Sequence, residues 1–158
     1  MTSSRAPLRD RRGYTLLELM TVVLLLGILA ALAAPRLSRA VQDSRTGGAL
    51  NRLVSEIAVA RQLAVTEGGR TRLTLSAPAS YTLSRVDASG SETVVRTANL
   101  QADYPGVAFD LSGGAVALEF SSRGLVTNLA DDQFIRIYDG DSRDSILVSA
   151  AGRVYRPR

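Results

Sequence analysis

Chemistry in this chain falls to carboxylates and guanidinium groups, because the usual catalytic side chains are missing. There is no His and no Cys, and all 19 basic residues are Arg. Imidazole bases, thiolate metal sites, redox chemistry and Ser–Lys nucleophiles are therefore excluded. Three groups of charged residues remain to be explained. Glu18 is the only charged side chain between Tyr14 and Ala34. Arg153, Arg156 and Arg158 crowd the C-terminus around Tyr155 with no acid among them, a combination suited to phosphate contact and base stacking. Asp139-Gly-Asp-Ser-Arg-Asp144 offers oxygen ligands. An EF-hand loop, however, needs Gly at its sixth position and Glu at its twelfth, where this chain has Asp144 and Ala150. Arg143 would also repel a cation, so the segment reads as a polar hairpin turn, and Asp131-Asp132 reads the same way. No catalytic constellation, metal site or cofactor follows. The chain reads as a structural subunit rather than an enzyme.

Glu18 draws its interest from the element that must carry it. Tyr14 to Ala34 is a run of 21 residues, long enough as an α-helix to cover about 32 Å and so to cross a bilayer core of roughly 30 Å. Arg5, Arg9, Arg11 and Arg12 precede it against Asp10 alone, which argues for a cytoplasmic N-terminus and a chain continuing outside. An acid at mid-membrane costs about 2.5–3.5 kcal/mol, so one placed in the first turn calls for a partner or for the headgroup region. Gly27 and Ala31, and Ala30 and Ala34, form small-xxx-small pairs that let such helices approach closely. Each large apolar side chain left in water would cost about 1.5–3 kcal/mol, so the helix belongs in lipid or among similar helices. A secretory signal peptide cut after Ala31-Leu32-Ala33 is the competing reading. The length of the apolar run, the acid within it and the nearness of Pro35 speak against it.

Gly13-Tyr-Thr-Leu-Leu-Glu18-Leu19 resembles the processing site of type IV prepilins and of type II secretion pseudopilins. The resemblance implies that a prepilin peptidase cuts between Gly13 and Tyr14 and methylates the new amine of Tyr14. Tyr14 stands where phenylalanine is usual. It implies a filament-assembly role for Glu18 and a helix bend at Pro35, which also lacks a backbone donor. Tyr14 and Glu18 are i and i+4, about 6 Å apart along a helix axis, so amine and carboxylate can neutralise each other within one chain or between neighbours. Loss of residues 1–13 removes four Arg and one Asp, lowering the net charge from +4 to +1. The basicity belongs mostly to the leader.

Beyond Pro35, Leu50, Leu53, Val54, Ile57 and Ala64 recur at helical spacing, with Asn51, Arg52, Glu56 and Arg61 expected to face elsewhere. Gly47-Gly48 reads as a soft point, and Gly68-Gly69 as the end of one long helix over residues 14–67. Alternating segments then predict strands at Arg70–Ser76, Ser80–Val86, Glu92–Thr97, Val107–Leu111, Val116–Phe120, Gln133–Tyr138, Ser145–Ser149 and Arg153–Arg156. No internal repeat is visible. The expected fold is α+β, a long N-terminal helix packed on an antiparallel sheet or two stacked sheets.

The expected organisation is a leader at 1–13, a transmembrane and assembly helix at 14–34, its amphipathic continuation at 35–69 and a β-rich periplasmic domain at 70–158. Phe120-Ser-Ser-Arg-Gly124 and Ser149-Ala-Ala-Gly-Arg153-Val154 resemble the H-type pseudopilin and FimT minor-pilin branch, although the first segment lacks that branch's frequent proline. The resemblance implies a minor pilin or pseudopilin, single-pass in the bacterial inner membrane and later in a filament. Its partners would be the prepilin peptidase and other pilins. Some FimT-type members take part in DNA uptake through a basic Gly-Arg tail, which would fall on Gly152-Arg153 and Arg156; Arg153, Tyr155, Arg156 and Arg158 are the candidate DNA contacts. DNA is therefore the alternative partner. A third reading is an anchored periplasmic domain that never polymerises.

Overall fold

The computed structural model describes residues 14–111 and 115–157. The chain divides into two compact units, Met1–Leu37 and Ser38–Arg158. One helix, α1 (Leu16–Glu67, 52 residues), supplies the described helical residues of the first unit and opens the second. It begins where Thr15 Oγ1 accepts the Glu18 N–H at 3.2 Å, so Thr15 caps it. It ends at Gly68, whose φ of 64° only glycine adopts without strain. There Gly69 N–H donates to Ala64 O (3.2 Å) and Gly68 N–H to Val65 O (3.4 Å), the paired bonds of a Schellman stop. The helix continues through Pro35 and through Gly47-Gly48. Gly48 is a close-approach position rather than a soft point, since a Cβ there would lie 2.5 Å from Tyr104 Cε1.

Among the described residues eight strands follow: β1 (Arg70–Ser76), β2 (Ser80–Val86), β3 (Glu92–Asn99), β4 (Ala108–Asp110), β5 (Val116–Phe120), β6 (Gln133–Asp139), β7 (Ser142–Val148) and β8 (Val154–Tyr155). They form two four-stranded sheets, ordered β3-β2-β1-β5 and β4-β6-β7-β8, with every pairing antiparallel. The α+β, two-sheet expectation holds. Several strand bounds move. β7 starts at Ser142 rather than Ser145 because the hairpin needs only Gly140-Asp141 between Asp139 and Ser142. Gly140 carries φ 57° at the first central position, as the tight primed hairpin turns require. β3, at one edge of its sheet, alternates in sequence yet is exposed almost throughout.

The helix buries a stripe at Thr46, Ala49, Leu50, Leu53, Glu56, Ile57, Ala60 and Ala64, spaced by three and four residues. One core joins this stripe to both sheets, through Leu73, Leu75, Tyr81 and Leu118 of the first and Phe109, Ile135, Ile137 and Ile146 of the second. Polar bonds hold the helix to each sheet. Thr71 Oγ1 of β1 donates to Ala60 O (2.8 Å), and Thr46 Oγ1 and Ser142 Oγ of β7 bond at 2.8 Å. Glu56 corrects the expectation of an outward acid: it is 2 % exposed and paired with Arg52 (3.2 Å) and Arg96 (3.0 Å). Two guanidinium groups compensate its burial where an unpaired carboxylate would be costly.

Candidate assembly terminus and the C-terminal arginines

Glu18 is the third residue after the cap, in a Thr15-Leu-Leu-Glu18 sequence that opens an apolar helix. That is the signature of a capping box, a helix-start signal carried by the sequence itself. The acid also sits where the positive end of the helix dipole favours it. Tyr14 precedes the cap, so it lies before the first turn and not on the helical face it would share with Glu18 by spacing. Gly13 and the rest of the leader lie outside the described residues. From Leu16 to Leu37 the helix surface is exposed on every side, Leu16 at 81 % and Leu24 at 64 %. It is long and apolar enough to cross a membrane. Pro35 sits inside it, and its missing N–H leaves the carbonyl one turn back without a helical donor.

Arg153 and Arg156 stand in different surroundings. Arg156 forms an ion pair with Asp144 of β7, on the side of the sheet that faces Gly47 of the helix. An acid is thus close in space although none is close in sequence. Tyr155 is exposed and pairs with Leu147 across β7–β8. Arg153 lines a groove with Arg61 and Arg123. Arg158 lies outside the described residues.

Two turns shape that groove, and they repeat each other bond for bond. In one, Ser121 N–H donates to Leu125 O (2.9 Å) and Gly124 N–H to Ser121 O (2.8 Å). In the other, Ser149 N–H donates to Arg153 O (2.9 Å) and Gly152 N–H to Ser149 O (2.8 Å). Each serine hydroxyl also bridges to the fifth residue, and each glycine has positive φ, 74° and 69°. Both are three-residue hairpin loops closed by a glycine bulge. They touch: Val126 N–H donates to Ala150 O (2.9 Å), and a Cβ on Gly152 would lie 2.4 Å from Gly124 O. Arg61 of α1 reaches in, its Nε donating to Gly124 O at 3.1 Å. The paired turns therefore join the two sheets and tie both to the helix. The segments Phe120–Gly124 and Ser149–Val154, which carry the branch resemblance, contain these turns.

Elsewhere the charged residues serve the fold. Glu119 of β5 accepts from Arg72 (2.7 Å) and Arg70 (3.2 Å), and Arg72 first, then Arg70, hold its carboxyl below the ordinary range against the opposing effect of partial burial. Burial pushes the Tyr81 hydroxyl up; Arg52 opposes and Glu56 reinforces that shift. The Asp139–Asp144 acids diverge: Asp139 is buried 3.8 Å from Arg45, while Asp144 holds Arg156.

Residues 8–34 match the prokaryotic N-terminal methylation motif, and residues 49–152 match the model of the type II transport protein GspH. No curated relative matches the sequence. Among solved structures, the type IV minor pilin FimU of Pseudomonas aeruginosa is similar at 18% identity and a TM-score of 0.60, over 73% of this chain and 90% of that one. The minor pseudopilin EpsH of the Vibrio cholerae type 2 secretion system is similar at 14% identity and a TM-score of 0.55, over 72% and 96%. These likenesses bear on the fold. With the GspH model spanning most of the folded unit and the methylation motif on its helix, the chain belongs to the GspH family of pilin-like proteins.

Proposed function

We propose that this protein is a minor structural subunit of a type II secretion pseudopilus or a type IV pilus, matured at Gly13–Tyr14 and N-methylated on Tyr14. The single observation behind this reading is the first half of α1. Its apolar side chains are exposed around the whole circumference, and one acid stands at its N-terminal cap. A helix apolar on all sides is stable only in lipid or among similar helices. The protein first spans the inner membrane with its N-terminus in the cytoplasm and its β-rich unit in the periplasm. It then enters a filament of related subunits. In the filament, Glu18 neutralises the new amine of a neighbouring chain and so sets axial register. The role is structural, with no reaction catalysed by the chain itself.

Mass spectrometry of the protein from membranes and from sheared filaments tests this. The expected N-terminus is methylated Tyr14 in both fractions. Glu18→Ala should leave cleavage intact yet lower recovery in filaments about 10-fold, since an unpaired buried charge costs well over 1 kcal/mol. An N-terminus at Met1 or Ala34 would refute maturation at Gly13. Wild-type recovery of the Glu18 variant would refute the assembly role.

A further inference from the structure

The groove built on the paired turns has a composition that maturation and assembly at Glu18 do not use. Arg123 stands just before Gly124 and Arg153 just after Gly152, so the two turns present one cation each to the same groove. Arg61 rises between them from the helix, its Nε against both glycines. Val54, Ile57, Ala58 and Val65 form the aliphatic wall, and exposed Tyr155 stands at the margin. No acid lines the groove among the described residues, although the mature chain is nearly neutral. Tyr and Arg are enriched in protein-binding hot spots. Guanidinium groups pair best with the planar carboxylates of Asp and Glu.

We propose that this groove docks an acidic, extended segment of another protein chain, its carboxylates on Arg61, Arg123 and Arg153 and separate apolar side chains against Val54 and Val65, about three helical turns apart. Charge complementarity and the aliphatic wall favour a peptide over nucleic acid. Phosphates would satisfy the cations but offer nothing to the wall, and base stacking would have, among the described residues, Tyr155 as its one aromatic in the groove. The proposal is independent of cleavage and of filament register. A protein cut correctly at Gly13 and incorporated normally is still expected to bind.

The test uses the full-length chain in detergent micelles and a fluorescent peptide alternating Glu and Leu, read by anisotropy. Wild type should bind, with affinity falling as salt rises. Arg123→Glu with Arg153→Glu should weaken binding by at least ~10-fold, as loss of charge-paired anchors does. Val65→Ser should weaken it about 3-fold through the lost aliphatic contact. Arg39→Glu, the same charge change on an exposed helix position away from the groove, should leave it unchanged. Circular dichroism confirms that each variant is folded, and Arg123→Gln with Arg153→Gln serves in place of the reversal if that variant unfolds. Equal peptide binding by wild type and the double variant overturns the proposal. So does a wild type that binds a single-stranded oligonucleotide but not the peptide.

Discussion

Between Leu16 and Leu37 every position of α1 is exposed, whereas between Thr46 and Ala64 eight positions of the same helix are buried. Backbone geometry is shared; the distribution of apolar residues is not. In the first half, Leu, Val, Ile and Ala occupy all sides, so no single neighbouring face can cover them and only a surrounding apolar medium suffices. In the second half the apolar residues keep to one stripe, and two sheets from the same chain cover it. One half needs other molecules, and the other is complete within its chain.

Paired substitutions sharpen that contrast. The largest effect is expected from Leu53→Ala, which empties part of the core and should lower unfolding stability by about 2–5 kcal/mol. Leu24→Ala, on the exposed half, should leave the melting of the β-rich unit unchanged. Thermal melts in detergent measure both, and a shift of equal size in the two would erase the distinction. Glycine separates the halves more finely. Gly48→Ala places a methyl 2.5 Å from Tyr104 Cε1 and should cost about 1–3 kcal/mol by overpacking. Gly27→Ala meets nothing within 4 Å and should leave urea unfolding of the β-rich unit unaltered.

The smallest effect concerns acid. The Glu119 carboxyl is held below its ordinary value of 4.5, chiefly by Arg72. Its contribution is therefore complete above that pH and is lost as pH falls through the lower folded value. Glu119→Gln should lose about 1 kcal/mol at neutral pH and show a flatter decline of melting temperature below pH 4.5. Parallel acid profiles for wild type and variant would assign the acid sensitivity to other carboxylates.

Much of the fold was legible because its signals are local. β1, β2 and β5 occupy the residues that alternation predicts, and the Gly68-Gly69 stop lies where the helical stripe runs out. The burial of Glu56 is not legible in the sequence because charge normally marks a solvent face. Its partner Arg96 is 40 residues away, and nothing in the helix announces it. Gly48 looked like a weak point because only Tyr104, brought in by the fold, shows why a side chain is excluded. The capping box at Thr15–Glu18 was present in four residues and could have been read. Arg153 and Arg156 are three residues apart, an odd spacing that along a strand points to opposite faces. Arg153 and Arg156 end in different surroundings.

Sequence alone determined the apolar rod, its acid and cap, the leader motif and the alternation of the strands, since each depends on residues within a turn or two of one another. Tertiary structure alone decided which arginines share a groove, which acid holds Arg156 and how two similar turns lock the sheets together. Those contacts join residues as far apart as Arg61 and Gly124. Such pairs are set by packing over the whole core, which no local pattern encodes.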